Sequence, residues 1–242
     1  MKYLLALLLL LPNLAFASCK YDDFNRVQRM TGVSVHCDYN PKTYFTPYLR
    51  SQCNVLSAQN PQFANTEYLS YTIMRFINSY PKEVVQKYLD NIYLLSHLQC
   101  DNMQMGGTCS DKSIYITIYT YTSTQWLSEA LHHEFSSILW RYNKLYMTKA
   151  DIGMISGYTA YDPNILSKCL NANGCREETD ELLKQGFLVG YNKTNIENDL
   201  NVYAEYLFTK KEHLETLAKK YPLVNQKVKL FKKFYTDIGI PL

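Results

Sequence analysis

Leu131-His132-His133-Glu134-Phe135-Ser136-Ser137-Ile138-Leu139 is the stretch on which the reading of the whole chain turns. It lies inside a helix expected from about Thr122 to Tyr142, along which Trp126, Leu127, Ala130, Leu131, Glu134, Ile138 and Arg141 keep helical offsets. Thr122 with Gln125 fits a capping box at its start, where each side chain satisfies an orphan backbone N–H. Two histidines at i and i+4 on such a helix face one way and bind one metal, and a Glu beside the first reaches the metal-bound water as general base. His133-Glu134 supplies the first half of that pattern, but position 137 is Ser. His132 does not substitute, because neighbouring helical residues diverge by about 100°. The plain alternative is an ordinary His pair on a helix face, one ring capped by a carbonyl and the other solvated.

Working outward, Ser113-Ile114-Tyr115-Ile116-Thr117-Ile118-Tyr119 is β-branched and aromatic throughout and reads as an edge strand. Ile92-Tyr93-Leu94-Leu95 is a second strand, with a Gly106-Gly107 turn between the two. The N-terminal part is read as mostly helical, with helices over residues 62–80 and Lys82–Tyr88. After the central helix, residues 150–180 read as irregular and 186–191 as a strand or extended segment. Thr194 with Glu197 offers a capping box for a helix through Phe208, followed by helices near 211–220 and 222–237. The last of these carries an apolar stripe, Val224, Val228, Leu230-Phe231, Phe234-Tyr235 and Ile238, expected to pack in the core. Pro and Gly are sparse and no linker divides the chain, so residues 18–242 are expected to form one helix-rich α+β domain with a helical C-terminal tail.

The order strand 113–119, Trp126, the His-His-Glu-Phe-Ser-Ser-Ile-Leu helix, the Phe187–Tyr191 segment, then Glu197-Asn198-Asp199-Leu200-Asn201-Val202-Tyr203-Ala204-Glu205 resembles exported bacterial zincin-like metallopeptidases of the gluzincin type. The resemblance spans roughly residues 113–208. It implies a zincin-like scaffold with a small sheet packed on the motif helix. In that family the cofactor is zinc, and His133 matches its first ligand and Glu134 its catalytic general base, but the incomplete ligand set means the resemblance implies the scaffold and not zinc itself. Asp199 matches the Asp of the second motif, Val202 stands where the third ligand belongs, and Glu205 lies one helical turn further on. His133, Glu205 and Asp199 are therefore the candidate metal residues. Ser137 and Val202 depart from the pattern and leave fewer than the three protein ligands of a catalytic zinc site.

The chain begins Met1-Lys2-Tyr3, continues with an apolar run through Leu11 and reaches Ala15-Phe16-Ala17. A basic start, an apolar stretch and an A-x-A site are the parts of a secretory signal, assigned to residues 1–17. The run falls short of the roughly 20 residues of a membrane-spanning helix. Phe16-Ala17-Ser18-Cys19 also fits a lipobox, so the product is either soluble or lipid-anchored at Cys19, secreted or periplasmic in both cases. Without Cys19, six cysteines remain, an even set that reads as disulfides in an oxidising compartment. Sequence neighbours are the expected pairs: 37–53, 100–109 and 169–175. A formal charge of +3 is too small and dispersed for nucleic acid.

Three function classes follow. The first is a peptidase acting on peptide or protein with metal-activated water, its substrate aligned along the 113–119 edge. The second is a non-catalytic binding protein on the same scaffold, and the third a structural envelope lipoprotein. Both site-based readings require the imidazole at 133 and the acids near 199–205 to share one cleft.

Overall fold

The computed structural model describes residues 21–242 except 39, 41, 42, 55, 62, 64, 102, 120, 121 and 172. The signal segment, the lipobox and Cys19 lie outside the described residues. The chain runs α1 (Asp22–Thr31), β1 (Ser34–His36), α2 (Pro47–Gln52), β2 (Leu56–Gln59), α3 (Thr66–Asn78), α4 (Lys82–Tyr88), β3 (Asn91–Leu95), β4 (His97–Cys100), β5 (Met103–Gln104), β6 (Gly107–Ser110) and β7 (Ser113–Thr117). The second half is helical: α5 (Thr124–Tyr142), α6 (Lys149–Ser156), α7 (Leu166–Asn171), α8 (Asp180–Lys184), α9 (Ile196–Thr209), α10 (Lys211–Lys220) and α11 (Pro222–Asp237). The architecture is helix-rich α+β.

A four-stranded sheet has the order β1-β3-β7-β6. β1, β3 and β7 are parallel, with Ile92 opposite Ile114 and Leu94 opposite Ile116. These isoleucines and Leu94 are fully buried, as expected for strands covered on both faces. β6 pairs antiparallel with β7, Cys109 opposite Ile114. The 113–119 segment is therefore an interior strand and the edge is β6, a correction to the sequence reading. The same-chain pattern could not separate the two, because β6 (Gly-Thr-Cys-Ser) has little strand propensity of its own and is held by its neighbour. A smaller antiparallel sheet, β2-β4-β5, packs its own cluster of Tyr44, Phe45, Leu49, Leu95, Leu98 and Tyr115.

The main core lies between the four-stranded sheet and the helices, with α5 and α9 packed at its centre. Both helices start one residue away from the expected caps. Ser123 accepts from the Trp126 N–H, while Thr122 Oγ1 takes the Tyr119 N–H at 2.7 Å. Asn195 caps α9 by accepting from the Asn198 N–H. In each case a short polar side chain nearer the first helical turn wins the orphan N–H. Residues 150–180, read as irregular, hold two short α-helices, α6 and α7, and three 3-10 turns. The 186–191 segment is not a strand: it turns at Gly186, bends at 188–189 and enters a 3-10 helix over 190–194. The stripe on α11 packs as expected: Val224, Val228, Phe231, Phe234 and Tyr235 are buried.

Cysteine pairing follows the expectation once. Cys169–Cys175 is a disulfide, but Cys53 pairs with Cys100, tying α2 to β4, and Cys37 is also disulfide-bonded. Cys109 is a buried free thiol on the edge strand. Proximity in sequence lost to the β2–β4 ladder, whose register sets Leu56 opposite Cys100 and so brings Cys53 within reach.

Candidate functional site

α5 and α9 present two matched rungs. On α5, residues 133 and 137 are i and i+4, so they share a face. On α9, residues 201 and 205 do the same. His133 Nδ1 donates to Glu205 Oε1 at 2.6 Å, and Asn201 Nδ2 donates to Ser137 Oγ at 2.8 Å. The rungs run in opposite directions along the chain, which makes the two helices antiparallel at this face. The shared cleft expected from the sequence therefore forms around His133 and Glu205. It does so with Asn201, not Val202, opposite position 137; Val202 points into the core.

Glu205 is buried and both its oxygens are engaged, since Arg176 Nη1 donates to Oε2 at 2.7 Å. Burial alone would raise its carboxyl, but the Arg176 guanidinium and the His133 N–H hold it below the usual carboxylate range. The Arg176 guanidinium also stacks over the Tyr191 ring, 5.1 Å from its centroid, and Tyr191 lies 5.8 Å from the His133 ring. Arg176 reaches this place from the residue after Cys175, so the Cys169–Cys175 loop delivers the cation. Sequence reading missed it, because nothing in the order of residues ties that loop to α9.

Glu134 sits on the sheet side of α5. A side chain at Gly107 would come within 3.0 Å of its Oε1, so glycine on the edge strand is what lets strand and carboxylate approach. Burial pushes the Glu134 carboxyl up, against the pull of His133, the Cys109 S–H that donates to it, and Arg141. Arg141 is itself paired with Glu197 at 2.7 Å and donates to the Cys109 carbonyl at 3.3 Å. Glu197 is thus an ion-pair residue rather than the expected cap.

Asp199 does not join this cleft. Six residues from Glu205, it points about 120° away around the helix. Its carboxylate accepts from Lys227 Nζ at 2.5 Å, from the Tyr161 hydroxyl at 2.6 Å and from Asn192 Nδ2 at 3.0 Å, with Lys227 and Asn192 buried and Tyr161 partly so. The acid expected as a metal ligand is instead one half of an internal ion pair. The sequence pattern missed this because Lys227 lies far along the chain on an otherwise amphipathic helix.

His132 points about 100° around α5 from His133, toward Tyr80 and toward Phe208 of α9. Its Nδ1 bonds the Tyr80 hydroxyl at 2.7 Å and its ring stacks on Phe208 at 4.6 Å. Neither histidine is carbonyl-capped or solvated, as the plain reading had it. Burial pulls the His132 pKa down from 6.5 to about 3, only partly offset by Glu205. The unfolded chain binds a proton on this ring as pH falls below about 6.5, while the folded chain does not until about 3. Stability is then fully present above the ordinary imidazole range and drains away through the acid window below it. His132→Gln keeps an acceptor for Tyr80 and removes the titration. Denaturant unfolding from pH 7 to pH 4 should show a shallower loss of stability in the variant, and equal slopes would refute the assignment.

The donor set fits zinc poorly. Zinc sites draw on imidazole, thiolate and carboxylate, with three protein ligands in catalytic cases. Here His133, donating from Nδ1, has only Nε2 left to offer a metal, and Glu205 has no oxygen free. Ser137 and Asn201 are turned on each other, and the amide oxygen of Asn201 is buried without a hydrogen-bond partner among the described residues. An amide oxygen and a hydroxyl suit hard cations better than zinc. Among the described residues, no group of three or more His, Cys, Asp or Glu is placed to hold a metal ion.

Among solved structures, the chain is similar in fold to a putative zinc-binding metallo-peptidase from Bacteroides caccae. The TM-score is 0.51 at 16% identity, over 89% of this chain and 85% of that one. No family profile and no curated protein matches the chain. The likeness extends to the architecture, and at this identity the chemistry of the cleft rests on the chain's own residues. No helix among the described residues is long and apolar enough to cross a membrane, and two disulfides fit an extracytoplasmic setting.

Proposed function

We propose that this is an exported protein on a zincin-like, metallopeptidase-derived scaffold that binds extended polypeptide along the β6 edge, beside the His133–Glu205 site, without a resident zinc. The observation that carries this reading is the Asn201–Ser137 hydrogen bond. The two positions that would complete a ligand set beside His133 hold an amide and a hydroxyl that are hydrogen-bonded to each other. The antiparallel edge strand β6, alongside α5, supports a binding role, because an edge offers main-chain groups to an added strand.

A second reading, metal-activated hydrolysis with Glu134 as general base and His133 at the metal, its ring oriented by Glu205, has its own support. A carboxylate on the Nδ1 of a histidine is the usual companion of a metal-bound imidazole, and a raised Glu pKa suits a proton acceptor. One experiment separates the two: metal analysis of tag-free protein, with fluorescein-labelled casein tested for both binding and cleavage. The binding reading expects no stoichiometric zinc, no cleavage, and casein affinity within about twofold of wild type in Glu134→Gln. About one zinc per chain, lost in His133→Ala, with cleavage lost in Glu134→Gln, would establish the hydrolase instead.

A further inference from the structure

The turn from α5 into α6 displays Leu145 at 99% exposure, flanked by Tyr142 at 51% and Tyr146 at 56%. The turn is braced from beneath. The Trp140 indole N–H donates to the Met147 carbonyl at 2.8 Å. Asn143, buried, donates to the Leu139 carbonyl at 2.7 Å and accepts from the Tyr88 hydroxyl at 3.0 Å. Leu145 is thus held out from the surface by a firm base.

Three lysines surround this tip. Lys87 lies over the Tyr88 ring at 4.9 Å, and that ring is 5.7 Å from Tyr142, while Tyr146 lies beside Lys87. Lys144 and Lys149 bracket the turn and are exposed. Among the described residues, none of the three is in an ion pair. The acid nearest in sequence, Asp151, is turned back on Thr148 as a helix cap.

We infer that this tip docks the protein on an anionic lipid surface. The chemistry matches by parts. A protruding aliphatic side chain enters the acyl boundary, tyrosines sit at headgroup depth with the ring apolar and the hydroxyl wet, and lysines reach the lipid phosphates. Unpaired cations around the tip choose an anionic surface. The convex shape favours a fluid surface over a protein partner, which would need a socket to receive a leucine standing clear of its neighbours. The inference is independent of what the cleft binds.

Flotation with vesicles tests it, using non-acylated protein verified by intact mass. Wild type should float with phosphatidylcholine–phosphatidylglycerol vesicles and not with phosphatidylcholine alone. Leu145→Glu and, separately, Lys144→Glu with Lys149→Glu should each lower the bound fraction about tenfold or more. Both variants lie at exposed positions, and an unchanged thermal midpoint verifies their folds. Wild type that stays in the dense fraction with anionic vesicles, or floats equally with neutral ones, overturns the inference. So does Leu145→Glu floating like wild type. If Leu145→Glu instead abolishes a concentration-dependent dimer while wild type ignores vesicles, the tip belongs to a second copy of the chain and the lipid proposal fails.

Discussion

Ser137→His combined with Asn201→Glu should give a chain that binds about one zinc ion tightly, completing with His133 the three-ligand set of a catalytic site. The geometry argues for this directly. Positions 137 and 201 already meet at 2.8 Å through their present side chains. His133 has its Nδ1 fixed by Glu205, which orients the ring as a metal-bound imidazole is normally oriented. The introduced imidazole would lie on the same face of α5 as His133, and the introduced carboxylate would replace an amide whose oxygen is now buried and unsatisfied. Either change alone should bind zinc far more weakly. Asn201→Glu alone should also destabilise the fold, since it buries a carboxylate beside Glu205 without a cation to balance it. Zinc titration of chelator-stripped protein by calorimetry, with metal counted per chain, checks the result. A folded double variant that takes up no zinc would show that the two helices do not frame a metal-sized site, and the scaffold argument would lose its main support.

Lys227→Met should cost about 3–5 kcal/mol, among the largest losses available to a single substitution in this chain. Lys227 and Asp199 are both fully buried and joined at 2.5 Å. Burial lowers the Lys227 pKa, while Asp199 opposes that shift, so the cation is kept by its partner. The ammonium also sits 4.1 Å from the Phe187 ring centroid, within a wall of Tyr161 and Tyr203. Methionine fills the volume but leaves the Asp199 carboxylate charged in the interior, with only Tyr161 and Asn192 to bond it. A fall in thermal midpoint of roughly 10 °C follows for a chain of this size. Adding Asp199→Asn to Lys227→Met should recover part of the loss, because a neutral pair no longer strands a charge. Casein binding by the folded fraction should be unchanged in both, because the pair faces away from the cleft. A loss under about 1 kcal/mol in Lys227→Met, or a binding defect without destabilisation in Asp199→Asn, would contradict the structural role and reopen Asp199 as a site residue.

Local patterning carried much of the fold. The helices at 82–88, 211–220 and 222–237 were legible because an apolar stripe at helical spacing, ended by Pro or a charged turn, has few other ways to bury itself. The long helix around His133-Glu134 followed from the same logic, whereas the order of motifs put Val202 at the position facing it and left Glu205 one turn beyond. The strand 113–117 was legible too, but its place in the sheet was not, since an interior strand and an edge strand of this composition look alike in one dimension.

The residues by themselves determined the helices over 82–88, 196–209, 211–220 and 222–237, that His133-Glu134 lies on a central helix, and that position 137 lacks the second imidazole. Only the tertiary structure decided that Asn201 answers Ser137, that Arg176 closes Glu205, that Asp199 belongs to Lys227, and that Cys53 joins Cys100. The physical reason is common to all four. Helical periodicity depends on neighbours three and four residues apart, whereas each of these contacts joins groups 28 to 64 residues apart. Such contacts are set by how whole helices and strands pack and by which buried charge finds which partner, a choice the chain makes only once it has folded.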